Sequence, residues 1–289
     1  MGCNWNKVAF GRTGLQVSPL AIGSSYGVNG ADVERAYERG INFFFWGLRR
    51  RSDFGRGLAR LAARDRGGVV IAAQTYSRAA SLMRPSLECV LRALKVDHID
   101  LLGLGWWDQL PPLRILEAAT DLKAEGKVKH LLISSHHRPS FVPMMNRPDL
   151  DAVMIRYNAA HPGAEREVFP HVPAANRGVL TFTATRWGSL LDPRLIPPHE
   201  PVPRASDCYR FALSNPAVHA TLTGPRDGIE LDEAMAALDR GPLDEGEEAW
   251  MRRVGKVVRD DTKAHRAIGS LDRIRATFFP PRQLGGRSS

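Results

Sequence analysis

Short apolar runs alternate with longer amphipathic stretches along almost the whole chain. The runs are residues 20–22, 42–45, 69–73, 99–104, 130–133, 152–155, 178–182 and 220–222. Each is bounded by turn residues and is mostly apolar rather than alternating, which predicts strands buried on both faces. The stretches between them carry helical spacing. Leu87, Val90, Leu91 and Leu94 fall at i, i+3, i+4 and i+7, and so do Leu231, Ala234, Met235 and Leu238. Phe54, Leu58 and Leu61 mark a third apolar face, and Ile115, Ala118, Ala119 and Leu122 a fourth. Eight strands with a helix after almost every one predict an α/β chain closed into a (β/α)8 TIM barrel. No Gly-x-Gly-x-x-Gly follows the first strand, which argues against an open dinucleotide-binding sheet.

The two ends depart from this rhythm. Val8-Ala9-Phe10, a Gly11-Arg12-Thr13-Gly14 turn and Leu15-Gln16-Val17 predict an N-terminal β-hairpin. Trp250, Val254 and Val257 predict an extra C-terminal helix. Residues 184–204, with Pro193, Pro197, Pro198, Pro201 and Pro203, read as a long loop on the face where barrels keep their sites. Residues 1–278 read as a single barrel domain, and 279–289, polar and Gly/Ser-rich, as a flexible tail.

Composition narrows the classes. A chain of 289 residues with 43% hydrophobic content supports one large core. The net charge of +9 raises nucleic acid or an anionic membrane as partners. Apart from Arg49-Arg50-Arg51 the basic residues are scattered, with no basic helix or tail and no zinc or helix-turn-helix pattern. The expectation is therefore no nucleic acid and no membrane partner. Residues 1–7 hold no apolar run of signal-peptide length. Cys3, Cys89 and Cys208 are far apart, which argues against disulfides and metal clusters and makes the cytoplasm the simplest setting. Cys89, beside an apolar helix face, is expected in the core.

One series of motifs points to a family. The stretch Phe10-Gly11-Arg12-Thr13-Gly14-Leu15-Gln16-Val17-Ser18-Pro19-Leu20-Ala21-Ile22-Gly23 resembles the opening of an aldo-keto reductase. In the same order along the chain, Glu38-Arg39-Gly40-Ile41-Asn42-Phe43-Phe44, Val70-Ile71-Ala72-Ala73 and Asp97-His98-Ile99-Asp100-Leu101-Leu102 resemble that family's second, third and fourth strands. Glu125-Gly126-Lys127-Val128-Lys129 is similar to its lead-in to strand five, and Thr223-Gly224-Pro225-Arg226 to its loop after strand eight. The resemblance implies NADP(H) as cofactor and a tetrad of Asp, Tyr, Lys and His that protonates a carbonyl oxygen as hydride reaches carbon. Matched motif by motif, those four positions hold Phe45, Arg50, Gln74 and Gly105. None of these exchanges a proton near neutral pH, and Gly105 is expected to leave a hole at the barrel centre. The resemblance thus implies a retained scaffold and redox chemistry without the usual tetrad.

Other residues at the strand ends are candidates for what replaces it. Tyr76, His136 and His137 are candidate acid–base groups. Ser134 and Ser135 match the family's Ser-Asn pair for the nicotinamide carboxamide, Met154 its Gln beneath the ring, and Thr183 or Phe182 its stacking aromatic. Gly224 and Arg226 match the phosphate loop, with Asp227 a plausible helix cap and Arg226 facing a 2′-phosphate. Trp46, Trp106, Arg156 and Tyr157 make a candidate substrate pocket, aromatic and cationic, suited to a flat anionic small molecule. Bland readings stand beside these: rim packing for the tryptophans, an ion pair for Arg156, an exposed loop for the histidines. Two adjacent histidines do not make a zinc site, and no metal is expected. Three functions stay open: a divergent NADP(H)-dependent oxidoreductase, a non-redox enzyme using His136 or His137, and a nucleotide-sensing pseudoenzyme. The substrate and the oligomeric state are not written in the sequence.

Overall fold

The computed structural model describes residues 5–47 and 52–260. A hairpin of β1 (Val8–Ala9) and β2 (Gln16–Val17) comes first. Eight parallel strands then close a barrel: β3 (Leu20–Gly23), β4 (Phe43–Trp46), β5 (Val70–Thr75), β6 (Ile99–Leu104), β7 (Val128–Ser135), β8 (Ala152–Arg156), β9 (Gly178–Phe182) and β10 (Ala220–Thr223). The strands pair in sequence order, and β10 closes the ring on β3, with Leu222 opposite Ala21. The helices are α1 (Gly30–Glu38), α2 (Ser52–Arg64), α3 (Met83–Leu94), α4 (Leu113–Ala124), α5 (Phe141–Met145), α6 (Ala164–Glu167), α7 (Val172–Ala175), α8 (Ala205–Leu213), α9 (Gly228–Arg240) and α10 (245–260). The (β/α)8 barrel with an N-terminal hairpin and an extra C-terminal helix is the architecture that the hydrophobic pattern predicts.

Alternation along each strand divides the core in two. Phe43, Phe45, Leu101, Leu132, Met154 and Leu180 fill the barrel, whereas their neighbours Phe44, Trp46, Leu102, Ile133, Ile155 and Val179 pack outward against the helices. The hairpin seals the N-terminal end: Phe10, fully buried, meets Phe43 edge-on at 5.7 Å. Two buried carboxylates tie strands on that side. Asp151 accepts from the Leu131 amide at 3.0 Å and from Lys123 Nζ at 2.6 Å. Asp100 accepts from the Ile71 amide at 2.9 Å and pairs with Arg66 and Lys129. Each is met by both a backbone donor and a cation, as a buried charge requires.

The helical stripes behave as their spacing predicts, with Leu87, Val90, Leu91 and Leu94 all buried. Cys89 is a correction: it is exposed and receives a hydrogen bond from Arg92 Nη2 at 3.3 Å, because those four apolar residues and Met83 take the buried stripe. Helix α10 is held to α8 by Arg210, whose guanidinium is buried against Glu247 and the Gly241 and Pro242 carbonyls. Among the described residues no helix is long and apolar enough to cross a membrane. The predicted tail at 279–289 lies outside the described residues.

Candidate active site at the mouth of the barrel

The inward positions at the carboxyl ends of the strands define the mouth. Gln74 on β5 donates from Nε2 to Ser134 Oγ on β7 at 3.4 Å, and the Trp106 amide donates to the same oxygen at 3.1 Å. Ser134 therefore accepts twice and keeps its hydroxyl proton to give. Gly105 does not open a hole. A Cβ there would stand 2.6 Å from the Tyr76 ring and 2.7 Å from Gln74 Nε2, so the space expected to be empty is filled by those two side chains. Arg78 braces this corner, with Nη1 donating to the Gly105 carbonyl at 3.0 Å and the guanidinium 3.9 Å above the Trp107 ring. Nothing in the spacing of the sequence marks Arg78, because its partners are carbonyls and a ring one strand away.

A line of rings crosses the opening. Tyr76 meets Trp106 edge-on at 5.9 Å, Trp106 meets His136 at 5.3 Å, and His136 meets Phe182 at 5.5 Å. The His136 amide donates to Asp108 Oδ1 at 3.1 Å, yet its Nε2 is buried without a hydrogen-bond partner. Burial, and then the charge of Arg156, hold the His136 pKa below its ordinary value, so the ring is neutral at pH 7. Burial pushes the Tyr76 hydroxyl up, so it too stays protonated and uncharged.

The structure does not gather every predicted residue here, and strand alternation is the reason. Phe45 points inward, so Trp46 points out, and its indole packs on Gly55 of α2. Arg156 reaches the mouth, so Tyr157 points away and stacks on Phe211 at 5.6 Å with its hydroxyl on Glu165. Ser134 faces in, so Ser135 faces out and donates to Asp108 Oδ1 at 3.0 Å. His137 is exposed, its Nδ1 2.8 Å from Ser140 Oγ outside the barrel. Met154 lines the barrel below the mouth. The aromatic that meets His136 is Phe182, whereas the Thr183 hydroxyl bends back to the Phe182 carbonyl at 2.8 Å. Arg50 lies outside the described residues.

Six non-glycine residues have left-handed backbone among those described. Four of them, Trp106, Thr183, Arg186 and Trp187, sit in the loops after β6 and β9. For Thr183, at φ 56°, that conformation is unusually costly. Such strain gathers at ligand sites because the surrounding structure must hold it. Both tryptophans are exposed at the rim, Trp106 by 57% and Trp187 by 63%.

The phosphate-loop candidates lie beyond β10. Asp227 caps α9 by accepting the Glu230 amide at 2.9 Å. Gly224 sits directly under the Tyr26 ring, 2.5 Å from where a Cβ would be. Arg226 pairs with Glu230 one turn on and is largely exposed. An exposed pair of that spacing contributes little, so the guanidinium exchanges partners readily.

Comparison with known proteins bears on the same scaffold. The structure resembles the aldo-keto reductase AKR11C1 from Bacillus halodurans in its holo form, with a TM-score of 0.73 and 20% identity over 88% of this chain and 97% of that one. The apo form of that protein gives 0.72 and 18% over 89% and 97%. At such identity the likeness speaks for the fold. The sequence profile of the Aldo/keto reductase family matches residues 29–200, more than half of the chain. With barrel, hairpin and profile in agreement, the chain belongs to the aldo/keto reductase family.

Proposed function

We propose that the mouth binds NADP(H) beside a flat, anionic small molecule, and that the chain is an oxidoreductase working without the Asp, Tyr, Lys and His tetrad. The observation that carries this reading is His136 Nε2, buried and unpartnered in a line of rings at the open end of the barrel. Leaving such a group unmet costs about 1–3 kcal/mol, and a ligand atom at that position recovers it. The donor set suits the cofactor. Ser134 has a hydroxyl proton to give a carboxamide, Met154 and Phe182 offer an apolar floor and wall, and Arg226 beside the α9 N-terminus offers charge for phosphate. The bound cofactor supplies or accepts hydride.

The protein's own part is positioning rather than proton transfer. Phe45, Arg50, Gln74 and Gly105 stand where the resemblance places the tetrad. Tyr76 and His136, uncharged at pH 7, donate hydrogen bonds to a substrate heteroatom but release no proton readily. Substrates that need no proton from the protein, such as an already protonated imine, fit this mouth better than an aldehyde does.

Fluorescence titration of the whole chain with NADPH and NADH tests the reading, because Trp106 at the rim reports on the mouth. The expected outcome is saturable quenching, with R226A weakening NADPH at least about tenfold more than NADH, the effect of one lost charge-assisted phosphate contact. Absence of quenching by either nucleotide at millimolar concentration removes the cofactor. Quenching without turnover of aldehydes, ketones or imines makes the chain a nucleotide-binding pseudoenzyme, a reading that the two uncharged donors also favour.

A further inference from the structure

Away from the mouth, the described residues line a recess of about 470 Å³. Arg177 and His219 belong to its lining, and they directly precede β9 and β10. The recess therefore lies at the amino ends of those strands, opposite the mouth. Phe169 between α6 and α7, Val172 and Pro173 of α7, and Pro216 of the loop after α8 supply apolar wall. That volume, and an apolar wall interrupted by a few polar groups, are those of an ordinary small-molecule site.

The polar groups of the lining are unevenly engaged. The Val179 amide donates to His219 Nδ1 at 3.1 Å, which fixes that nitrogen as an acceptor and places the ring proton on Nε2. Burial holds the His219 pKa below its ordinary value, so this neutral tautomer is the form present at pH 7. Nε2 donates to nothing among the described residues. Arg177, only 5% exposed, gives Nε to the Met145 carbonyl at 2.7 Å and Nη2 to the Arg147 carbonyl at 2.9 Å, and its Nη1 is buried without a partner. The acceptors of Glu165 and Asn215, by contrast, are taken. Glu165 receives the Tyr157 hydroxyl at 2.5 Å and the two Nη groups of Arg252 at 2.9 and 3.1 Å, and Asn215 Oδ1 receives the Ala217 amide at 3.0 Å. The lining thus has donors to spare, one of them on a cation, and an oxygen acceptor recovers what unmet donors cost. We propose that this recess is a second small-molecule site, for an apolar acid whose carboxylate takes the His219 Nε2 proton and faces the Arg177 charge while its hydrocarbon lies on Phe169, Val172 and Pro216. The site is separate from the mouth and depends on neither the cofactor nor the redox reading.

The test is calorimetric titration of the whole chain with hexanoate, hexanamide and hexylamine at pH 7, with the histidine rings followed in parallel by long-range proton–nitrogen NMR. The free protein is expected to show His219 as the Nε2–H tautomer. Hexanoate, a non-planar acid chosen to disfavour the ring-lined mouth, is expected to saturate in the low millimolar range that its size allows. It should move the His219 Nε2 resonance and leave those of His136 in place. Hexanamide, which offers the oxygen without the charge, should bind at least about fivefold more weakly, and hexylamine not detectably. A217W fills the recess from a half-buried loop position, and H219F removes the donor; each is expected to weaken hexanoate at least about tenfold. H219F also strips the Val179 amide of its acceptor, so A217W decides if H219F fails to fold. Unchanged hexanoate affinity in A217W overturns the proposal, as does failure of hexanoate to saturate. A His219 signal that stays still while His136 moves places the acid at the mouth and overturns it too. Hexanamide as tight as hexanoate overturns the assignment of an acid.

Discussion

Gly105 shows how a missing side chain can be a packing requirement. The Tyr76 ring and the Gln74 amide already occupy the volume that any Cβ would claim. Gly105→Ala is expected to destabilise the chain by about 1–3 kcal/mol and to displace Tyr76, read as a lower urea midpoint and altered Trp106 fluorescence. His136 makes the opposite case. Its ring is flanked by aromatics, and its Nε2 has no partner. His136→Phe should leave stability unchanged or raise it by about 1 kcal/mol, because an apolar ring relieves the unmet group, while weakening binding at the mouth. Thermal unfolding and nucleotide titration on one preparation check both halves, and a large drop in melting temperature would contradict the packing argument. At this scale the sequence was partly legible. Inward Phe45 makes Trp46 outward and inward Arg156 makes Tyr157 outward by strand period alone. Arg78 was not legible, because its partners, the Gly105 carbonyl and the Trp107 ring, belong to the loop after the neighbouring strand.

At the scale of elements, α1 and α2 touch through two glycines. A Cβ on Gly57 would stand 2.6 Å from Gly30 Cα, backbone against backbone. Gly57→Ala would gain about 1 kcal/mol in helix propensity. It is nonetheless expected to lower stability by a net ~1–3 kcal/mol, since neither helix can yield without moving its strand. Chemical denaturation gives the sign directly. Asp227→Ala removes the α9 cap and is expected to cost about 1 kcal/mol. Its effect on dinucleotide affinity should be smaller than that of R226A. The strands and most helices were legible because buried strands and one-sided helices leave different periods in the sequence. Short segments such as α6 and α7, four residues each, leave too few positions for a period to show.

For the whole molecule, closure of the ring is underwritten on the N-terminal side by Asp151. Burial alone would raise its pKa, but the nearby His130 imidazole and hydrogen bonds from Lys123 and the Leu131 amide prevail and hold the carboxyl far below the usual range. A depressed carboxylate contributes stability that is complete above its unfolded value, about 4, and is lost as pH falls through its folded value. Urea midpoints should therefore be flat above pH 5 and fall steeply below about pH 4. Asp151→Asn should cost about 2–4 kcal/mol at pH 7 and flatten that acid limb. An unchanged limb would show that another group governs acid unfolding.

The sequence by itself determined the barrel. Eight doubly buried strands separated by one-sided helices have few other ways to hide their apolar surface, and the ordered motifs named the family. It also determined which residue types stand at the strand ends. Only the tertiary structure decided which of them meet. It filled the space at Gly105 with Tyr76 and turned Ser135, His137, Trp46 and Tyr157 away. The physical reason is that period and propensity are local, whereas contact across a barrel mouth depends on pleat, closure and loop path at once.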